Sequence, residues 1–179
     1  NRKTCWKMRR WAMTLLRCKL TNMCQIQLKK HITVMAVFVF ACVIIPNVRA
    51  LETFPVVPMT IVTKAGAHKF TVEVATTRKQ LAQGLMLRRK MAANSGMVFV
   101  HKQTAQISMW MKNTLIPLDM LFIDSAGKIT KIVARTTPMS QEIIASDGPI
   151  RVVLELNSGM TSRLSIKTGD WIKLPGVFD

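Results

Sequence analysis

The sequence predicts a mainly β domain, barrel- or sandwich-like, with one or two short helices and an N-terminal signal segment outside the fold. Three observations predict it. After residue 50 the apolar residues fall in short runs, alternating with polar ones or rich in β-branched and aromatic side chains, and turn formers separate these runs at the spacing of a barrel or sandwich. All four cysteines (Cys5, Cys18, Cys24, Cys42) precede residue 50, which rules out a disulfide scaffold, a cysteine-ligated zinc site and a cysteine nucleophile in residues 51–179. Finally, those 129 residues are enough for one ordinary domain of roughly 100–150 residues.

In chain order, Leu51 to Pro58 carries two prolines and no periodic pattern, and reads as an extended linker at 51–58. The domain is expected over 59–179. Met59–Lys64 and Phe70–Val74 flank Ala65-Gly66-Ala67-His68 as a β-hairpin. Thr76 or Thr77 caps a short helix, in which Leu81 and Leu85, and Ala82 and Met86, share a face at four-residue spacing. Gly84 interrupts that face at a cost of about 1 kcal/mol relative to alanine, which implies a close backbone approach. Gly96–Val100, Ile107–Met111, Met120–Ile123 and Ile129–Val133 read as strands, the last two joined by the turn Asp124-Ser125-Ala126-Gly127. Arg151–Leu156 is a strand, Asn157 can cap one helical turn over Ser158–Leu164, and Lys167-Thr168-Gly169-Asp170 turns into a last strand at Trp171–Leu174.

Charge and hydropathy separate the first fifty residues from the rest. The chain carries 26 Lys and Arg against 9 Asp and Glu, a formal net charge of +17. Residues 1–50 hold ten of the bases and no acid, which leaves 51–179 with a net charge of +7. Lys29-Lys30-His31, the weakly polar to apolar run Ile32–Ile45, and Pro46-Asn47-Val48-Arg49-Ala50 follow the order of a secretory signal over residues 29–50. The run is shorter than the ~20 residues that span a bilayer as a helix. Cleavage after Ala50 is the reading adopted. Retention as an inner-membrane anchor through 32–45 and lipidation at Cys42 are its alternatives. Residues 1–28 read as a basic N-terminal extension, of which 1–22 are expected to precede the true start at Met23. The excess positive charge therefore belongs mostly to targeting, and gives no reason to expect nucleic acid as a partner.

The densest chemistry lies in Ser108–Asp119, where a strand ends in a polar triplet, the chain turns at Pro117, and a lone carboxylate opens the next strand. Facing a pocket, Trp110 would supply a stacking face, Lys112 a cation, Asn113 a paired donor and acceptor, and Asp119 a carboxylate. The competing reading has Asn113 and Asp119 satisfying backbone groups across the loop while Trp110 fills the core. Arg88, in Arg88-Arg89-Lys90, and Glu155 are outer candidates. His68 and His101 each stand alone in expected turns, so no metal or other cofactor is expected. The methionines Met86, Met97, Met109, Met111 and Met120 fall at core periodicity, which favours packing over soft metal ligation.

Gln83–Arg88, Gly96–Phe99, Met109–Asp124 and Val153–Gly159 closely resemble, in that order, the bacterial and archaeal domain of unknown function 192. The resemblance covers about residues 60–175, with small departures at His101-Lys102 and Ser158. It implies a small, mainly β, barrel-like domain, often secreted, with no settled activity.

The reading that results is an exported, periplasmic envelope protein, in which a β-rich module binds a polar or anionic ligand or an envelope protein and meets the membrane only through its signal segment. A hydrolase or lyase acting on envelope glycans, with Asp119 or Glu155 as general acid/base, is the enzymatic alternative. A structural module without a small-molecule site is the third. No activated nucleophile, phosphate-binding loop or dinucleotide fingerprint is visible.

Overall fold

The computed structural model describes residues 51–178; the signal segment expected at 29–50 and the extension at 1–28 lie outside them. Alternation in the first two apolar runs produces the hairpin of β1 (Val56–Thr63) and β2 (Gly66–Ala75). Here the expected linker is corrected. β1 starts at Val56, paired with Glu73, and Val74 N donates to Pro55 O at 2.9 Å. Glu52 N donates to Gln83 Oε1 at 2.8 Å and Gln80 Nε2 to Thr53 O at 2.7 Å, so residues 52–55 are tied to the domain. Pro58 is tolerated because β9 covers only Thr60–Val62, leaving β1 with one neighbour at that point.

Helix α1 (Arg78–Gln83) begins at Thr77 in a capping box, where the Thr77 hydroxyl accepts from Gln80 N and the Gln80 side chain accepts from Thr77 N. It ends at Gly84, whose φ of 47° suits glycine and whose missing Cβ would stand 3.0 Å from the Phe99 ring. That ring is the close approach the sequence implied. The helix carries the chain into β3 (Ser95–Ala105), parallel to β2.

The expected strand at 107–111 shrinks to β4 (Ser108–Met109), which pairs with β7 (Ile144–Ala145) as a separate two-stranded ribbon. Met111 N turns away to Ser140 O instead of extending the ladder. β5 (Leu118–Ile123) and β6 (Ile129–Val133) form the expected hairpin, its turn held by Asp124 Oδ1, which accepts from Ala126 N and Lys128 N at 2.9 Å each. β8 (Ile150–Asn157), α2 (Met160–Arg163) and β9 (Trp171–Lys173) complete the domain.

The main sheet runs β6-β5-β8-β3-β2-β1-β9. It curls into a half-barrel whose two edges meet at one end, where Ile129 N donates to Asp170 O, Gly169 N to Ile129 O and Ile172 N to Gly127 O, each at 2.8 Å. Strand alternation then gives two apolar faces. Met59, Ile61, Phe70, Val98, Leu121, Leu154, Ile172 and their neighbours line the inside of the curl. Met97, Phe99, Leu118, Met120, Phe122 and Val153 form the outer face, covered by Leu85, Met111 and partly buried Phe54, Leu81 and Met91.

Candidate functional site

Register settles first which candidates can act together. Cross-strand partners point to the same face of a sheet. Asp119 is opposite Leu156, which lies in the inner core, whereas Glu155 is opposite both Met97 and Met120, which lie in the outer one. The two carboxylates therefore point to opposite faces and cannot share a substrate as acid and base.

Asp119 is fully buried and saturated by its own chain. Its Oδ1 accepts from Arg135 N at 2.9 Å and Gly159 N at 3.0 Å, and its Oδ2 from Thr161 N at 2.9 Å and Thr161 Oγ1 at 2.6 Å. Helix α2 has no side-chain cap of its own; Gly159, not Asn157, is its N-cap residue, and Asp119 satisfies the first-turn donors from another strand. Burial alone would raise the Asp119 pKa, but the hydrogen bonds from Thr161, Gly159 and Arg135 outweigh it and hold the carboxyl below its ordinary value. Asp119 thus follows the backbone-satisfying reading, and its carboxylate has little left for a ligand. Asn157 remains in β8 and donates from its amide to Ala92 O at 2.8 Å, fastening the segment after α1 across the end of the outer face.

Arg88 is likewise occupied. Its guanidinium forks onto the Glu73 carboxylate, Nη1 to Oε1 and Nη2 to Oε2, the latter at 2.6 Å, and lies 5.7 Å from the Phe54 ring centroid. An arginine fork of this kind is geometrically specific, although with both side chains about a third exposed it contributes only modestly to stability.

Trp110, Lys112 and Asn113 do stand together, at the surface. Buried Met111 anchors the segment from below while Trp110 on one side of it is 52 % exposed, so the tryptophan does not fill the core. The Lys112 ammonium lies over its ring, 5.7 Å from the centroid. Asn113 takes a left-handed conformation (φ 58°), which asparagine tolerates better than most residues. Its carbonyl accepts from Leu87 N at 2.8 Å, so the loop after α1 and the loop after β4 are joined at this residue.

Glu155 lies on the outer face, 4 % exposed, with no hydrogen-bond partner for its carboxyl among the described residues. Burial pushes its pKa up to about 8. Glu73, Met97, Glu155 and Met120 form one row across β2, β3, β8 and β5. Two strand spacings place Glu155 roughly 10 Å from Glu73 and its Arg88 fork.

The sequence reading missed Glu73 and Thr161, because pairing across 15 and 42 residues leaves no local signal. It also missed Leu87 and Met139, both left-handed (φ 63° and 62°) and exposed. Among the described residues no three His, Cys, Asp or Glu side chains converge as metal ligands. A cleft of about 610 Å³, lined in part by Thr63, Lys64, Lys167, Asp170 and Trp171, includes none of the candidates. No described helix is long and apolar enough to cross a membrane.

The DUF192 family, described as "Uncharacterized ACR", matches residues 60–174, from the hairpin to the last strand. The chain belongs to this family. Two solved structures are similar to this domain. A candidate transcription regulator from Sinorhizobium meliloti 1021 is 42 % identical, with a TM-score of 0.67 over 69 % of this chain and 97 % of the other. A protein of unknown function from Novosphingobium aromaticivorans DSM 12444 is 33 % identical, with a TM-score of 0.67 over 74 % of this chain and 94 % of the other. No curated protein matches the chain. The DUF192 fold is thereby established for this sequence, and its biochemical activity is not given by these relatives.

Proposed function

We propose that this DUF192 domain is an exported envelope module that binds a polar or anionic ligand or partner where the loop after α1 and the loop after β4 meet. The observation that carries the reading is Trp110 held half in solvent by buried Met111, with Lys112 over its ring and Asn113 fixing the turn behind it. A tryptophan face and an ammonium group side by side suit a ligand that stacks and carries negative charge. Arg88 and Asp119 support this site rather than contact the ligand, since Glu73 and α2 already take their charges. Binding is preferred to the glycan-cleaving alternative because Asp119 and Glu155 face opposite ways and cannot act on one substrate as a pair.

Titration of the full chain with envelope sugars, nucleotides and organic anions, by thermal shift and calorimetry, tests it. Trp110→Ala and Lys112→Ala should each weaken binding about tenfold, equivalent to about 1.4 kcal/mol, while the melting temperature holds. Asn113→Gly, which keeps the left-handed turn, is the informative change at that position, since alanine would add backbone strain. Variants that bind as well as the parent, or that lose several degrees of melting temperature, would refute the site. Binding to duplex DNA that disappears at high salt would favour the role given to the Sinorhizobium relative.

A further inference from the structure

The same pair of loops, with the loop after β6 that carries Met139, presents more apolar surface than a small polar ligand needs. Leu87, Trp110, Leu115 and Met139 are 65, 52, 40 and 53 % exposed. They form one patch: Leu87 N is bonded to Asn113 O and Met139 N to Thr114 O, so Leu87 and Met139 flank the Asn113-Thr114 dipeptide, with Trp110 before it and Leu115 after it. Leu87 and Met139 both adopt the left-handed region, which long aliphatic side chains seldom occupy, and the hydrogen bonds that hold them there keep their side chains in solvent. Exposed apolar side chains fixed by strained backbone mark a surface meant to be covered.

Charge indicates by what. Segments 84–92, 109–118 and 135–143 contain the unpaired bases Arg89, Lys90, Lys112 and Arg135, and a single carboxylate, Glu142. Arg88, also in these segments, is neutralised by Glu73. A tryptophan and aliphatic side chains on segments that also carry lysine and arginine have the composition of surfaces that rest in the headgroup layer of an anionic bilayer. We infer that this patch docks the domain on an anionic membrane surface, with Leu87, Trp110, Leu115 and Met139 in the interfacial layer and Arg89, Lys90 and Lys112 against lipid phosphates. The inference rests on the loop pair being the binding site, and makes the bilayer its partner; it adds a membrane contact to the one expected of the signal segment.

Co-sedimentation of the full chain with vesicles tests it, using phosphatidylcholine alone or mixed with phosphatidylglycerol. The apolar run at 32–45 is common to every variant, so the comparison is between variants. Leu87→Asn with Met139→Asn is the decisive pair, because asparagine accepts the left-handed backbone and removes the apolar side chain without cost to the fold. The pair should lower partitioning onto the mixed vesicles at least tenfold, with an unchanged or raised melting temperature. Arg89→Glu with Lys90→Glu should lower it similarly, and the parent's advantage on the mixed vesicles over phosphatidylcholine alone should shrink as salt is added. Equal partitioning of the asparagine pair and the parent would overturn the inference. If a soluble ligand is then still lost in Trp110→Ala, the binding site stands and only its membrane partner falls; if Trp110→Ala changes neither soluble-ligand nor vesicle binding, both readings fall.

Discussion

Glu155 and Asp119 show how environment separates two carboxylates that look alike in sequence. Glu155 has a folded pKa of about 8 against an ordinary 4.5, so between those values the folded state holds a proton that the unfolded state has released. Its contribution to stability is therefore full below the lower value and is lost as pH rises toward about 8, at about 1.4 kcal/mol per pH unit in between, with a ceiling of roughly 5 kcal/mol. Asp119 has the opposite sign, since its folded pKa lies below 3.8. The stability it contributes is present above that value and disappears as pH falls through the folded pKa. His101, held below its ordinary 6.5 by burial, also favours folding less as pH drops, so the parent's pH profile is a composite. The variants resolve it: Glu155→Gln should be more stable than the parent near pH 8 and should flatten the fall between pH 5 and 8. Asp119→Asn should be less stable than the parent at pH 7 and converge on it in acid. Denaturant unfolding across pH checks both, and a Glu155→Gln profile that falls as steeply as the parent's would contradict the raised pKa.

At the level of elements, strands were easier to anticipate than their ends. Alternation in Phe70–Val74 and β-branched runs such as Ile129–Val133 locate β2 and β6, because period-two patterning survives whatever the neighbouring strand is. The start of α2 depended on tertiary structure: a carboxylate 40 residues away caps it, so Asn157 stays in β8. β3 and β8 approach so closely that a Cβ on Gly96 would stand 2.7 Å from Glu155 O and 2.9 Å from Leu156 Cδ2. Backbone on a paired strand cannot yield as a flexible side chain would. Gly96→Ala should therefore cost about 3 kcal/mol or more, lowering the melting temperature on the order of 10 °C. Thermal unfolding followed by circular dichroism reads this directly, and a melting temperature within a degree of the parent would show that the ladder can shift.

For the whole domain, the consequential contact is between the first and last strands of the sheet, β6 and β9. Hydrogen bonds around Ile129, Gly169 and Ile172 join two edges that would otherwise offer unpaired donors and acceptors to another chain. Asp170 holds the turn that makes this possible, its carboxylate accepting from Lys167 N at 2.8 Å and its carbonyl from Ile129 N. In hydrogen exchange, the Ile129, Gly169 and Ile172 amides should be protected far beyond ordinary loop amides. Asp170→Ala should release these three first while β3 and β8 keep their protection. Fast exchange of all three in the parent would mean that the edges are not pinned.

By itself the sequence determined the fold class, the order of the main strands, the capped helix, the Asp124 turn and membership of the DUF192 family, because short-range patterning and turn chemistry are properties of neighbouring residues. It also placed Trp110, Lys112 and Asn113 in one loop. Only the tertiary structure decided that Arg88 belongs to Glu73, that Asp119 belongs to α2, that Asp119 and Glu155 face opposite ways, and that Leu87 and Met139 project into solvent. Those outcomes depend on which strands become neighbours and in what register. A shift of one residue in that register would have put Asp119 and Glu155 on other faces, and no local pattern records the choice.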